Sequence, residues 1–297
     1  MAIHLGANQY GKAENRVVRI YRDTPRHQIR DLNVSTALRG RFDAAHTTGE
    51  QGDVLPTDTQ KNTAFAFAKE KGIGAIEEYA LTLGERFLAA SPAAEGARIE
   101  VEEYAWERIE VDGQGHDHSF VRTGGGVRNT IVNVERGKAY VVSGISDLVV
   151  LKSTGSGFHG FLKDEYTTLP ETDDRILATS LVARWRYEHT DVEWDKAYDR
   201  IKALLLEKFA TIHSLALQQT LYGMGSAVLE AHPEVAEIRF SAPNKHHFLV
   251  DLSPFGVENP GEVFIAADRP YGLIEATVTR DDASDPGSAW HATPGFC

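Results

Sequence analysis

The order of predicted strands and helices most constrains the fold of this chain, because it occurs twice. Residues 16–21 and 28–42 alternate apolar and polar side chains, and helical spacing follows at about 59–70 and at 75–90. Strand-like alternation then returns, and a second series of strand, strand, helix, helix and strands begins near residue 129. The connections are short enough for antiparallel pairing, so the sequence predicts an α+β fold of antiparallel sheets with paired helices.

We interpret this order as two copies of one unit, with a boundary after the glycine run at 124–126. The first unit is assigned to residues 1–135, the second to 136–280, and a tail to 281–297. A chain of 297 residues is long enough for two such domains with a buried core. The tail is rich in Gly, Pro, Ser and Ala, so we expect it to be poorly ordered.

Finer features of the secondary structure are also predicted. Residues 98–111 are interpreted as one strand whose change of phase at Glu102–Glu103 indicates a bulge, and 112–118 as a turn. Thr190 and Glu193 fit a capping box that begins a helix, and a second helix is predicted afterwards. That helix and the strands after it are placed at 218–231, 235–240, 247–252, 263–266 and 273–279.

Charge and composition restrict the partners and the compartment. The 43 acidic and 31 basic residues give a net charge of −12, which repels nucleic acids and anionic membranes. The single cysteine, Cys297, cannot form an intrachain disulfide. No apolar run of a signal peptide, no membrane-spanning window and no Ser-Lys-Leu ending is present. We therefore expect a cytoplasmic protein that binds neither nucleic acid nor membrane.

Local motifs alone indicate little chemistry. Gly124–Gly126 lacks the Lys-Ser/Thr of a phosphate loop, which favours a turn. His116 and His118 are metal-ligand types, but two imidazoles without a further ligand favour a solvated loop. His246 and His247, if they lie on a strand, point to opposite faces, so only one of them serves a given site. These motifs predict neither a metal site nor a nucleotide site.

Four segments together resemble the urate oxidase (uricase) family. They are YGK at 10–12, TDTQKNT at 57–63, FLKDEYTTL at 161–169 followed by DRIL at 174–177, and PNKHHF at 243–248. The resemblance keeps its order from about residue 10 to about residue 280. It implies tandem tunnelling-fold (T-fold) units, with paired helices on one face of each antiparallel sheet. It also implies a head-to-tail homotetramer around a central β-tunnel.

The resemblance further implies which residues bind urate, a flat anionic purine. Arg175 would make two parallel hydrogen bonds to a planar acceptor edge, and Gln218 would complete the clamp with a donor and an acceptor. Phe158 would stack on the purine ring. Leu217 and Asp58 would contribute backbone N–H groups rather than side chains.

The catalytic residues implied by the resemblance are Lys12, Thr57 and His246. A threonine hydroxyl is a poor base alone, but a neutral lysine can accept its proton, and His246 would extend this relay. Thr57 would also contact urate, and Asn244 would hold dioxygen and later water. The implied reaction oxidises urate with dioxygen and water to 5-hydroxyisourate and hydrogen peroxide, with no metal, flavin or other cofactor.

In this family Lys12, Thr57 and Asp58 come from one subunit, and the other site residues come from its neighbour. An isolated monomer is therefore expected to be inactive. Two alternatives stay open. One is another T-fold enzyme of purines or pterins, such as a cyclohydrolase, which usually requires a metal-binding histidine cluster. The other is a purine-binding protein that keeps the clamp and has lost turnover.

Overall fold

The computed structural model describes residues 2–293, which form two compact units. The first unit comprises residues 2–144, 186–198 and 284–293, and the second comprises 145–185 and 199–283. Each unit therefore contains more than one segment of the chain. The main division follows Gly144, inside a strand, whereas the sequence predicted a division after Glu135.

Ten strands and five α-helices are formed by the described residues. In chain order they are β1 (Tyr10–Tyr21), β2 (Gln28–Gly40), α1 (Asp43–Thr47), α2 (Thr57–Glu70), α3 (Ile76–Ala90), β3 (Ala94–Glu103), β4 (Trp106–Val111), β5 (Gln114–Arg122), β6 (Val127–Glu135), β7 (Lys138–Lys152), β8 (Leu177–Tyr187), α4 (Trp194–Thr211), α5 (Leu217–Ala231), β9 (Val235–Leu249) and β10 (Phe264–Thr279). The second half has the predicted order of strand pair, helix pair and strand pair, whereas the first half adds the short helix α1 and the strand pair β4 and β5 to it.

The sheet strands of each unit are hydrogen-bonded in a simple order. In the first unit the order is β1-β2-β3-β6-β7, and β4 and β5 form a separate antiparallel pair. In the second unit the order is β7-β8-β9-β10. The pairs β1–β2, β2–β3, β3–β6 and β9–β10 are antiparallel. This is the antiparallel pairing that the short connections predicted.

Helices cover one face of each sheet and enclose the core. Helix α3 packs against β3 and β6 in the first unit, and α5 packs against β9 and β10 in the second. Each helix has a glycine at the closest approach: a Cβ on Gly84 would lie 2.5 Å from Val134, and one on Gly225 would lie 2.6 Å from Val278. Any larger residue would push helix and sheet apart, so both glycines serve helix-to-sheet packing.

Three details of the predicted strands are wrong. The phase change near Glu102 marks the end of β3, and the chain then enters β4 in a different sheet, so there is no bulge within one strand. The turn is short because Asp112 and Gly113 adopt φ of 52° and 73°, and β5 already begins at Gln114. The four short strands predicted near the end are two long strands, β9 and β10.

Residues 284–293 pack against the first unit, although their composition predicted poor order. Ala289 is fully buried against Ile131 of β6, and the Asn133 Nδ2 atom donates a hydrogen bond to the Ala289 carbonyl at 3.3 Å. Apolar burial and a satisfied buried amide thus hold a segment that is rich in small residues. The prediction for residues 294–297, including Cys297, lies outside the described residues.

None of the helices formed by residues 2–293 is long and apolar enough to cross a membrane. The cytoplasmic location stays a prediction.

Candidate active site

A cavity of about 650 Å³ in the second unit contains four of the predicted site residues in its wall. They are Phe158, Arg175, Asn244 and His246. Phe158 and Arg175 belong to the loop that connects β7 to β8, whereas Asn244 and His246 lie on β9. The fold therefore brings together residues from two distant parts of the sequence, one near residue 165 and the other near residue 245.

The loop that carries Arg175 is held by hydrogen bonds among its own residues. The Asp174 carboxylate accepts hydrogen bonds from the Thr154 hydroxyl at 2.8 Å and the Gly155 N–H at 2.9 Å. These donors, above all Thr154, hold the pKa of Asp174 below its usual value. The Arg175 N–H donates to the Ser156 carbonyl at 2.7 Å. The Asp174 carboxylate is therefore paired inside the loop, and these hydrogen bonds together fix the backbone at Arg175.

The Phe158 ring contacts both an aromatic ring and a cation. Its backbone exchanges hydrogen bonds with Thr172 at 2.7 and 3.0 Å. The ring stacks on Phe161, with centroids 4.9 Å apart and an interplanar angle of 14°, and the Arg175 Cζ atom lies 4.9 Å from the Phe158 centroid. Phe161 was not among the predicted site residues, although it begins the FLKDEYTTL segment that carried the resemblance.

Arg175 is a half-buried cation whose guanidinium is incompletely paired. Its Nε atom is buried and has no hydrogen-bond partner among the described residues, and burial lowers the pKa of the group. A guanidinium stays charged even so. Of the nearby carboxylates, Asp174 faces its own loop, and Glu171 pairs with Lys163 at 3.0 Å. The charge on Arg175 is therefore available to an anionic ligand with planar acceptors.

His246 and Asn244 face the cavity from a strand with an irregular register. Asn244 pairs with Gly272 and His246 with Ala267, and the register of β9 and β10 shifts between these two pairs. Such irregularities re-aim side chains and are common beside active sites. Burial, followed by the charges of Arg175 and His247, lowers the pKa of His246 below its ordinary value. The neutral imidazole is thereby favoured near neutral pH.

The lowered pKa of His246 predicts how the site responds to pH. The pKa of His246 lies below the usual value of 6.5, so the ring is neutral at pH 7 and gains a proton only in more acidic solution. If the neutral ring accepts protons in the reaction, kcat/KM falls through this lower pKa as the solution is acidified. NMR titration of the His246 ring, assigned with a His246→Gln variant, should give a midpoint below pH 6.5. A midpoint above pH 6.5 would contradict this electrostatic description.

Helix α5 begins beside the loop that carries Phe158. The Gly157 N–H donates to the Ser214 carbonyl at 2.8 Å, and the Ser214 N–H donates to the Gly155 carbonyl at 2.9 Å. Leu217 and Gln218 are the first two residues of the helix, and no side chain caps it. Backbone N–H groups of the first turn are thus open to a ligand. The Leu217 side chain is buried, whereas Gln218 is exposed and does not line the cavity.

The other predicted site residues, Lys12, Thr57 and Asp58, lie in the first unit. Thr57 and Asp58 begin α2, which also lacks a side-chain cap. The Asp58 carboxylate pairs with Lys61, the main cause of its lowered pKa, and the charge of Lys12 lowers that pKa further. Lys12 and the start of α2 are therefore electrostatic neighbours, and they present a cation beside open N–H groups.

The structure places a third imidazole beside His116 and His118. The His118 ring lies 4.5 Å from that of His116 and 5.9 Å from that of His27, measured between centroids. Within residues 2–293, however, no group of three or more His, Cys, Asp or Glu side chains is arranged to hold a metal ion. His116 and His118 lie on β5, so the loop that the sequence favoured for them is wrong.

Comparison with known sequences gives a consistent result over almost the whole chain. The family model described as Uricase matches residues 8–133 and 141–275. A uricase from Arthrobacter globiformis is 53% identical over 293 residues, which is 99% of this chain and 95% of that protein. A uricase from Oryctolagus cuniculus is 39% identical over 278 residues, with coverage of 91% and 93%.

Solved structures agree with the sequence matches. The crystal structure of uricase from Arthrobacter globiformis superimposes with a TM-score of 0.93 at 52% identity, and covers 98% of this chain and 99% of that chain. A uricase from Bacillus fastidious gives a TM-score of 0.81 at 27% identity, with coverage of 93% and 94%. These matches confirm the predicted α+β tunnelling fold, whereas the β-tunnel built by several subunits stays a prediction.

Proposed function

Since the chain belongs to the uricase family and is a urate oxidase of purine degradation, we propose that it produces 5-hydroxyisourate and hydrogen peroxide without a bound cofactor. In this reaction urate loses two electrons, dioxygen gains two electrons and two protons, and water supplies the added hydroxyl group. The electrons come from the substrate itself, so the protein has to bind urate, remove its proton and position dioxygen.

The observation that carries this proposal is the incompletely paired Arg175 guanidinium in the cavity wall beside Phe158. A half-buried cation needs an anionic or strongly polar partner, and a guanidinium prefers a planar one. Urate is both planar and anionic. We propose that Arg175 makes two hydrogen bonds to one edge of urate and that Phe158 supports the flat face of the ring.

We assign the opposite edge of urate to the first turns of helices α5 and α2. Gln218 offers an amide donor and acceptor from the first turn of α5, and Leu217 offers its backbone N–H. Asp58 offers its N–H from the first turn of α2, where the positive end of the helix dipole attracts an anion. In this proposal the side chains of Leu217 and Asp58 have little influence on binding.

The proton relay is assigned to Thr57, Lys12 and His246. The Thr57 hydroxyl takes a proton from bound urate and passes its own proton into the relay that Lys12 and His246 continue, so that no charged alkoxide accumulates. His246 is favoured in its neutral form, which suits it to accept and return protons. Asn244 lies in the same cavity wall and is assigned to dioxygen and then to water.

We propose that the complete site forms between subunits of a head-to-tail homotetramer. The two groups of site residues belong to different units of the chain, which suits a site completed by a neighbouring copy. The loop between β7 and β8 supports assembly because its apolar side chains are uncovered: Leu162 is 95% exposed and Tyr166 is 82% exposed. Large apolar groups left in water commonly mark subunit contacts.

Mixing two inactive variants tests this shared site. We expect Thr57→Val and Arg175→Met chains to be nearly inactive alone and to recover about a quarter of wild-type activity when co-assembled, because about a quarter of head-to-tail interfaces then contain two intact halves. The matched control mixes Thr57→Val with Lys12→Met, whose defects lie in the same half, and should not recover. Failure of the first mixture to recover, or a fully active monomer in sedimentation, would contradict the proposal.

The reaction itself is tested in one cuvette. Metal-stripped protein is mixed with urate while its near-ultraviolet absorbance, oxygen uptake and peroxide release are followed together. We expect one dioxygen consumed and one peroxide released for each urate. Loss of activity on chelation, with recovery on adding metal, would overturn the cofactor-free mechanism. Urate binding without turnover would favour the purine-binding alternative.

A further inference from the structure

We propose that Thr36 and Gln60 are positioning residues that hold Lys12 in place for the proton relay. This inference rests on the proposed roles of Lys12 and Thr57. Neither positioning residue is assigned a contact with urate. They act through buried hydrogen bonds that join the strand carrying Lys12 to the helix that begins at Thr57.

Thr36 lies directly opposite Lys12 in the pairing of β1 with β2. The Lys12 backbone N–H donates to the Thr36 Oγ1 atom at 3.3 Å, and the Thr36 hydroxyl donates to the Gln60 Oε1 atom at 2.7 Å. Only 5% of Thr36 and 0% of Gln60 is exposed. Water is therefore excluded, and each of these groups depends on its protein partner.

Gln60 extends this connection to the start of α2. Its Nε2 atom donates to the Leu55 carbonyl at 3.3 Å, and its backbone N–H donates to the Pro56 carbonyl at 3.1 Å. Gln60 is three residues after Thr57, less than one helical turn. Both ends of the amide are thus occupied, one by the strand that faces Lys12 and the other by the segment that leads into Thr57.

The backbone at Lys12 requires this support because regular pairing ends there. The register of β1 and β2 shifts between Lys12 and Asn15, and Glu14 adopts a φ of 57°. A bulge gives up ladder hydrogen bonds on the bulged strand. The residue before Lys12 allows a very close approach of the strands, since a Cβ on Gly11 would lie 1.7 Å from the Thr36 carbonyl oxygen. The Thr36 hydroxyl therefore supplies the bond that locates Lys12.

The matched variants Thr36→Val and Thr36→Ser test this role. Valine keeps the shape but removes the hydroxyl, so the Lys12 N–H and the Gln60 Oε1 both lose a partner. We expect Thr36→Val to lower kcat by at least about 10-fold with little change in KM, since small displacements of a catalytic group are costly. Thr36→Ser keeps the hydroxyl, and we expect its kcat to stay within about two-fold of wild type.

A control variant separates positioning from general damage to the fold. Thr130 is fully buried in the first unit, and its hydroxyl donates to the Val142 carbonyl at 3.2 Å. Thr130→Val therefore removes a comparable buried hydrogen bond on β6. We expect it to lower the thermal midpoint as Thr36→Val does, while its kcat stays unchanged. Equal loss of kcat in both variants would overturn the proposal.

A second variant covers the case in which Thr36→Val fails to fold. Gln60→Met keeps the approximate length of the side chain but removes both of its hydrogen bonds. We expect it to lower kcat in the same way as Thr36→Val, and the double variant to lose little more than either single variant, because both act on one connection. Fully additive losses would contradict this coupling.

Failure of this inference is distinguishable from failure of the proposed relay. If Thr57→Val and Lys12→Met keep full activity, the relay is wrong. If those two variants lose activity while Thr36→Val and Gln60→Met keep wild-type kcat, the relay stands and the positioning role is wrong. Values of kcat for these four variants, measured over the same series of urate concentrations, decide between these outcomes.

Discussion

Replacing Thr57 by valine is expected to lower kcat by about 100-fold or more while urate still binds, because the substitution removes a group that accepts the substrate proton. Valine preserves the branched shape at the first position of α2, so the open N–H groups of that turn remain. The backbone of Asp58 can then still receive urate. The loss should therefore fall on kcat and leave the dissociation constant of urate within a few fold.

The two quantities are measured separately by excluding oxygen. Anaerobic equilibrium dialysis gives urate affinity without turnover, and oxygen uptake under air gives kcat. A suitable control is Thr63→Val on the same helix, whose hydroxyl donates only to the Thr59 carbonyl at 2.8 Å. We expect this control to match wild type in both measurements. Unchanged kcat in Thr57→Val would contradict the relay, and lost binding would assign Thr57 to the substrate clamp alone.

Replacing Arg175 by methionine is expected to lower kcat/KM by about 1,000-fold. Hydrogen bonds to a charged group contribute about 1.5–3 kcal/mol each, so loss of two of them costs about 4 kcal/mol, and about 1.4 kcal/mol corresponds to a factor of ten. Unlike Thr57→Val, this variant should lose anaerobic urate binding. Burial is the main cause of the lowered pKa of His246, and the charge of Arg175 lowers it further, so the His246 titration should move to higher pH in this variant.

Arg175→Lys separates charge from geometry. Lysine restores a positive charge but not the planar pair of donors, so we expect only partial recovery of urate affinity over Arg175→Met. Arg41→Met removes an arginine whose side chain is 73% exposed, and it should match wild type. Wild-type urate affinity in Arg175→Met would contradict the clamp. Full recovery by Arg175→Lys would reduce the role of Arg175 to that of a point charge.

The four longer helices could be predicted because each is defined by local information, whereas the five-residue α1 was not predicted. Apolar spacing predicted α3 and α4. The capping box at Thr190 and Glu193 placed the beginning of α4 three residues too early, since the helix begins at Trp194. The strands were less accurate because alternation does not show which sheet a strand joins. The change of phase at Glu102 was therefore interpreted as a bulge, although it is the passage from β3 to β4 in another sheet.

The site residues also divide into those that the sequence indicated and those that only the folded chain shows. Each predicted site residue came from a resemblance carried by short segments, since Arg175 alone has the composition of any surface arginine. The resemblance did not assign Phe161, because stacking of Phe161 on Phe158 depends on the conformation of the whole loop. Nor did it indicate Thr36 and Gln60, which are 24 residues apart in sequence and meet only through the packing of α2 on β1 and β2.

The sequence by itself determined the α+β class, the duplicated order of elements and the uricase family, because these depend on periodicity and on short segments kept in order. The tertiary structure alone decided that a half-buried Arg175 lacks a partner for its Nε atom, that His246 favours its neutral form, and that Lys12 is held through Thr36. The reason is physical. Burial, desolvation and hydrogen-bond satisfaction are properties of neighbours in space, and a linear pattern does not specify those neighbours.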